Sequence, residues 1–209
     1  MTSTHSNSAS SSQGMKVLSK DDKDASMHTH FMHLAIEQAQ LSAPVPSGYC
    51  VGAVLVQEAH QDLTSTEVPV ADRFKVLATG HSRELPGNTH AEECCLLKLA
   101  EVEDKESQLL LNDPLLADLE KKNKNRRPKT ELIMYSTMEP CSTRLSGNKS
   151  CSERLIESGV RRVYVGVREP DHFVKTVVGV ENMVQEGIQV VHIPGFEEQC
   201  LAPNRHILH

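Results

Sequence analysis

From Met27 the apolar residues Phe31, Met32, Leu34, Ala35 and Ala39 recur at helical spacing up to Gln40, which predicts a first helix. The proline and glycine of residues 43–48 then stop it. Residues 51–56 form a compact apolar run, the pattern of a buried strand, and residues 74–79 supply a neighbour for it. The polar residues 57–73 between them read as a hairpin insertion. A second helical stretch covers 91–102, followed by a long charged connection over 103–129. Farther on, the pattern predicts strands over 131–137, 162–167 and 188–193, with helices over 153–158 and 177–185. Helices interleaved with about five short strands call for an α/β fold, one sheet with helices on both faces. No internal repeat is visible.

A chain of 209 residues has room for one domain of roughly 150 residues plus tails. Residues 1–26 are polar and too poor in large apolar groups to repay ordering, so they read as a disordered arm before a domain over 27–193 and a tail over 194–209. Serines within residues 6–12, with Lys16 and Lys20, are only a faint echo of a transit peptide. The longest apolar runs fall far short of the ~20 residues of a membrane helix. Net charge −6 and 3% aromatic residues argue against a nucleic-acid surface and favour a small-molecule substrate. The basic run 121–129 could be a nuclear-localisation or nucleic-acid patch, but alone in an acidic chain it reads as a solvated loop. No apolar signal segment precedes the six cysteines, so reduced thiols in the cytoplasm are expected.

The chemistry gathers in Thr89-His90-Ala91-Glu92, Glu139-Pro140-Cys141 and Cys151. Zinc accepts one imidazole and two thiolates, and a catalytic site keeps its fourth position for water, so His90, Cys141 and Cys151 make a complete Zn2+ set. If Ala91 opens a helix, His90 and Glu92 both sit at its first turn, beside free backbone N–H groups. Glu92 is then placed to carry the proton of a hydrolytic deamination. Neither His-x-Glu nor a lone cysteine means much; the conjunction after an apolar strand and at a second strand end does. The generic pattern ends in Pro-Cys-x-x-Cys, whereas nine residues separate Cys141 from Cys151. Gly147 and Asn148 would let that longer loop fold back. Cys94 or Cys95 would be the alternative thiolate, but both read as core residues.

The stretches 51–56, 80–92 and 137–142 resemble the cytidine-deaminase-like superfamily. Within it, Glu139-Pro140-Cys141-Ser142, the long insert before Cys151 and residues 156–163 look most like the riboflavin-pathway pyrimidine deaminases. The similarity runs from about residue 27 to about residue 193, and it accounts for the long cysteine spacing. It implies a three-layer fold with a mixed sheet, a homo-oligomer such as a dimer, and a phosphorylated diaminopyrimidinone as substrate. Residues 84–92 and 144–148 look closer to the fungal type, whose substrate is 2,5-diamino-6-ribitylamino-4(3H)-pyrimidinone 5'-phosphate (DRAP), deaminated at C2. Bacterial members carry a fused reductase; with a short tail after Ile193, that activity is expected to be absent here. Gly48-Tyr49-Cys50 replaces the bacterial Asn-Pro, so contacts made by that Asn do not transfer.

A phosphorylated substrate needs cations or backbone donors, and Arg83, Arg144 and Lys149 lie in the flanking loops. Glu84 and Asn88 could read the pyrimidine edge; His81 and Ala91 complete the candidate substrate contacts. His28, His30 and His33 could bind metal, but ordinary partly exposed histidines are the commoner case. The tail ending in His206 and His209 is read as folding over the site of its own or a neighbouring subunit. Two other functions compete: deamination of another base (cytidine, deoxycytidylate or transfer-RNA adenosine), and a non-catalytic zinc module with four protein ligands.

Overall fold

Ala53 and Leu55 pack into one buried cluster while Val54 and Val56 pack into another, as period-2 side-chain alternation requires of a strand covered on both faces. The computed structural model describes residues 14–59, 70–112, 130–144, 146–168 and 178–208. In chain order these form β1 (Lys16–Val17), α1 (Ala25–Leu41), β2 (Gly52–Ala59), α2 (Val70–Arg73), β3 (Phe74–His81) and α3 (Ala91–Asn112). They continue as β4 (Thr130–Met138), α4 (Cys151–Glu157), β5 (Arg162–Val167), α5 (Gly179–Gln185), β6 (Gln189–His192), α6 (Glu197–Leu201) and a 3₁₀ turn (Ala202–Asn204). The sheet order is β1-β6-β5-β4-β2-β3. β1, β6, β5 and β4 run parallel, whereas β2 is antiparallel to both β4 and β3. Helix α1 covers one face through Phe31, Met32 and Ala35 against Val54, Ile133 and Tyr135. On the other face α3, α4 and α5 bring Ala91, Cys95, Leu155, Val180 and Met183 onto Leu55, Met134 and Val163. The result is the expected three-layer α/β fold.

Two contacts fix how tightly these layers meet. A Cβ added to Gly52 would lie 2.0 Å from the Ala35 carbonyl, and one added to Gly80 would lie 2.4 Å from the Ala91 carbonyl. Both are positions where a helix backbone rests directly on a strand, which only glycine permits.

Several elements differ from the sequence pattern. A sixth strand, β1, lies in the segment read as an arm, where Lys16 and Val17 pair with Val191 and His192. Two residues are too few to leave a periodic signal. Helix α1 begins at Ala25, before Met27. Helix α3 runs on to Asn112 through residues read as a connection; its charges form a solvated face, where Lys105 donates to Glu101 at 2.7 Å. Helix α4 begins at Cys151 because Ser150 and Glu153 form a reciprocal capping box. β6 is shorter than residues 188–193 by one residue at each end. The serines of 6–12, most of the insertion and the basic run 121–129 lie outside the described residues. Among the described residues no helix is long and apolar enough to cross a membrane.

At the end of the sheet remote from His90, Arg73 bridges Asp24 and Glu58, and Arg162 bridges Glu58 and Glu131. Asp24, Glu58, Glu131 and Arg162 line a polar cavity of about 580 Å³, where no cluster of metal donors stands among the described residues. Beside it His28 is 2% exposed, with the Tyr135 hydroxyl 2.7 Å from Nδ1 and the Tyr164 hydroxyl 3.1 Å from Nε2. A neutral imidazole satisfies both, accepting from one tyrosine and donating to the other. Burial holds the His28 pKa below its ordinary value, with Asp22 opposing weakly.

Because the folded pKa is depressed, the unfolded chain binds the proton more readily, and the contribution to stability is lost as pH falls from about 6.5 through the folded value. His28→Phe should lower the thermal midpoint at every pH by removing the hydrogen-bond partner that the two tyrosine hydroxyls share. Between about pH 7.5 and about pH 5.5 its midpoint should fall less than that of the wild type, as read by circular dichroism. Equal pH slopes in the two proteins would contradict this account.

Candidate active site

The first turn of α3 sits on β3 at Gly80, which sets His90 and Glu92 at the strand ends where β4 runs out at Met138. The chain then turns through Glu139 and Pro140 to Cys141, and Cys151 opens α4 on the far side of the loop. The His90 Nδ1 atom lies 3.5 Å from Cys141 Sγ and 3.4 Å from Cys151 Sγ, and all three donor atoms lie within 4.8 Å of one another. Zn–N and Zn–S bonds of about 2.0 and 2.3 Å at a tetrahedral angle place nitrogen and sulfur ~3.6 Å apart, so the donor set fits zinc. Among the described residues this is the only such cluster, and it holds three donors.

The electrostatics suit a cation. A hydrogen bond from Cys151 holds the Cys141 thiol down at about 4 against its burial, and His90 adds to the effect. Cys151 moves the opposite way, because its proton is shared with Cys141 and it is buried. Burial disfavours the His90 cation, but the hydrogen bond and charge of Cys141 outweigh this and raise its pKa. Glu92, 3% exposed, is pushed up by burial and then by Cys141. Its Oε1 accepts a hydrogen bond of 3.1 Å from Ser136, a fully buried residue of β4.

These groups stand in a cavity of about 410 Å³, within the range of small-molecule sites. Arg83, Asn88 and Arg144 line it with His90, Glu92 and Cys141. Arg83 and Asn88 both adopt positive φ, 65° and 56°. Arg83 donates to the carbonyls of Tyr49 at 3.0 Å and Ala43 at 2.7 Å, bracing another wall of the cavity. Arg144 donates to Glu93 and to the Asn88 carbonyl.

The other candidates do not line the cavity. Lys149 is exposed and donates to Glu157 at 2.6 Å. Glu84 is held by Lys98 and by the backbone N–H of His81, and the His81 ring faces Glu84 rather than the metal donors. Ala91 is fully buried against Gly80. Cys94 bonds Thr89 at 3.2 Å and Cys95 joins the core, so neither thiol belongs to the donor set. The three histidines of α1 do not converge: His28 lies between tyrosines and His33 packs edge-on against Phe196. The described tail does not cover the cavity. Instead Asn204, fully buried, accepts from the Cys50 N–H at 2.6 Å and donates back to its carbonyl, and His206 lies 3.1 Å from the Val45 carbonyl. The tail thus holds the cavity wall from behind.

A family model described as the cytidine and deoxycytidylate deaminase zinc-binding region matches residues 25–167, which take in all three donors and Glu92. The chain belongs to this family. In sequence it is 37% identical over 174 residues to the diaminohydroxyphosphoribosylamino-pyrimidine deaminase of Schizosaccharomyces pombe. That match takes in 83% of the chain but spans only about a third (34%) of the curated relative. Among solved structures it is similar to the Rib2 deaminase of Aspergillus oryzae, a C-terminal deletion mutant, with 32% identity, a TM-score of 0.62, and 84% of this chain and 89% of that one covered. The same Aspergillus protein is also known in complex with DARIPP. A Thermotoga maritima deaminase/reductase aligns at 25% identity and a TM-score of 0.55, covering 86% of this chain and 39% of its own. Zinc is therefore the metal of this deaminase-family site.

Ser136 is the residue whose role sequence reading missed. As the residue that fixes the Glu92 carboxylate from below, its removal should act on the rate rather than on binding. Ser136→Ala should lower kcat about tenfold, the equivalent of roughly 1.4 kcal/mol for one hydrogen bond to a charged group, with KM nearly unchanged. Steady-state kinetics showing a changed KM at constant kcat would refute that role.

Proposed function

We propose that this chain is a zinc-dependent hydrolytic deaminase of riboflavin synthesis that acts on DRAP, replacing the 2-amino group by oxygen and releasing ammonia. The observation that carries this reading is Glu92: a carboxylate 3% exposed, bonded to Ser136, in the cavity lined by His90 and Cys141 of the three-donor His/Cys/Cys set. A structural zinc centre closes with four protein ligands; three donors among the described residues suit a catalytic one.

His90, Cys141 and Cys151 would hold the metal. When bound, zinc supplies the Lewis acidity that lets water be deprotonated near neutral pH. Glu92 accepts that proton and returns it to the ring nitrogen beside C2, then assists the transfer of a proton to the departing amine. One water is consumed; a C–NH2 bond breaks, a C=O bond remains and NH3 leaves. Arg83 and Asn88 face the substrate from the walls, and Arg144 contributes from the cysteine loop.

The name of the fission-yeast relative, with its phosphoribosylamino pyrimidine, and the Aspergillus complex with DARIPP support a phosphorylated pyrimidine as the substrate class. We further place the protein in the cytoplasm, a reading supported by six free, buried cysteines. A homodimer is supported by the position of β3 at the sheet edge, where Val76 is exposed.

Glu92→Gln should retain zinc and lose ammonia release by about 10²–10⁴-fold, the range of a general acid–base group. Full turnover in that variant would end the mechanism. Ammonia release compared across the ribitylamino and ribosylamino pyrimidine phosphates, cytidine and deoxycytidylate should be fastest with the ribitylamino compound. Preference for cytidine or deoxycytidylate would reassign the substrate.

A further inference from the structure

Two thiolates with two residues between them can be delivered by one turn, but here nine residues lie between Cys141 and Cys151. Something else must fix that loop against His90, since an unconstrained loop loses entropy on closing. Glu93 lies next to the proposed proton carrier, and its side chain is 10% exposed. Its Oε2 accepts from the backbone N–H of His90 at 3.3 Å and from Arg144 at 2.7 Å, and its Oε1 lies 2.7 Å from Arg154 Nη2. Arg144 is itself 2% exposed and donates a second bond to the Asn88 carbonyl at 2.6 Å. The partners have a common logic: Glu93, Arg144 and Arg154 each follow one of the three donors, His90, Cys141 and Cys151, by three residues.

We propose that Glu93 is the positioning residue of the zinc centre: one carboxylate that ties together the three chain segments carrying His90, Cys141 and Cys151. The pair it forms with Arg144 is short, charge-assisted and almost wholly shielded from water, so it resists the screening that weakens exposed pairs. Arg154 projects from α4 one turn beyond Cys151, so the same carboxylate sets the approach of that helix. Arg144, expected from the sequence to grip substrate, acts first as a strut. Groups that orient metal ligands from outside the coordination sphere tune metal affinity by about 10- to 100-fold.

The proposal rests on the zinc-deaminase reading, and its test uses the full chain with zinc as the probe. Zinc affinity is measured by competition with a colorimetric chelator for the wild type, Glu93→Ala, Glu93→Gln, Arg144→Ala and Glu93→Ala/Arg144→Ala. Glu93→Ala should bind zinc about 10- to 100-fold more weakly, with Glu93→Gln in between. The double variant should be no weaker than Glu93→Ala, because the shared contact is already gone. Wild-type affinity in Glu93→Ala, or losses that add in full, would overturn the proposal. So would equal lowering of the thermal midpoints of the zinc-free and zinc-loaded forms, the mark of a merely structural ion pair. If Glu93→Ala does not fold, Arg144→Ala and Arg154→Ala leave the carboxylate in place; zinc affinity unchanged in both would overturn it equally. Activity of Glu92→Gln reports on the deaminase reading alone, so the two failures are separable.

Discussion

A helix can lie directly on a strand only where the strand presents no side chain, and at Gly80 the chain exploits that gap. The Ala91 carbonyl rests where a Cβ would be, so the first turn of α3 is lowered onto the sheet. This one contact fixes the height of His90 and Glu92 relative to the end of β4. At that height Ser136, pointing up from β4, reaches the Glu92 carboxylate, and the chain leaving β4 returns Cys141 to the imidazole. Raised by the thickness of a methyl group, the helix would carry its two reactive side chains away from groups held by the sheet. Packing at a single residue therefore becomes the alignment of a reaction.

The second constraint is electrostatic. Two cysteines, an imidazole and a carboxylate share a buried volume, and unpaired charge in such a place is costly. The molecule distributes this burden by giving each charge a donor: Cys141 receives hydrogen bonds from Cys151, Glu92 from Ser136, and Glu93 from two guanidinium groups. A divalent cation among the thiolates completes the balance, which is why donor set and charge pattern point to the same occupant.

The parts of this arrangement legible in the sequence are those set by neighbours along the chain. His90 and Glu92 share a helix turn, Cys141 follows a strand, and the continuous apolar run over residues 51–56 announces a strand buried on both sides. The parts that were not legible depend on direction. His81 and Glu84 stand near His90 in sequence, yet Lys98 draws Glu84 to α3 and the His81 ring follows it. Ser136 is one polar residue in an apolar strand, and only the register opposite Ala53 and the packing of α3 reveal that it faces Glu92. Ser150 and Glu153 carried a readable capping signature that places the start of α4 at Cys151 and so sets that thiol at the helix mouth.

The clasp between Asn204 and Cys50 bears on the order in which the site assembles. It joins residues 154 positions apart, whereas the donors meet across 51 and 61 positions. Closing the longer loop costs about 1 kcal/mol more in chain entropy. Contacts of such long range are also the slow ones in folding. Gathering the metal donors therefore takes less chain entropy than securing the wall that faces them, so the capacity to hold the ion is the less demanding of the two to assemble.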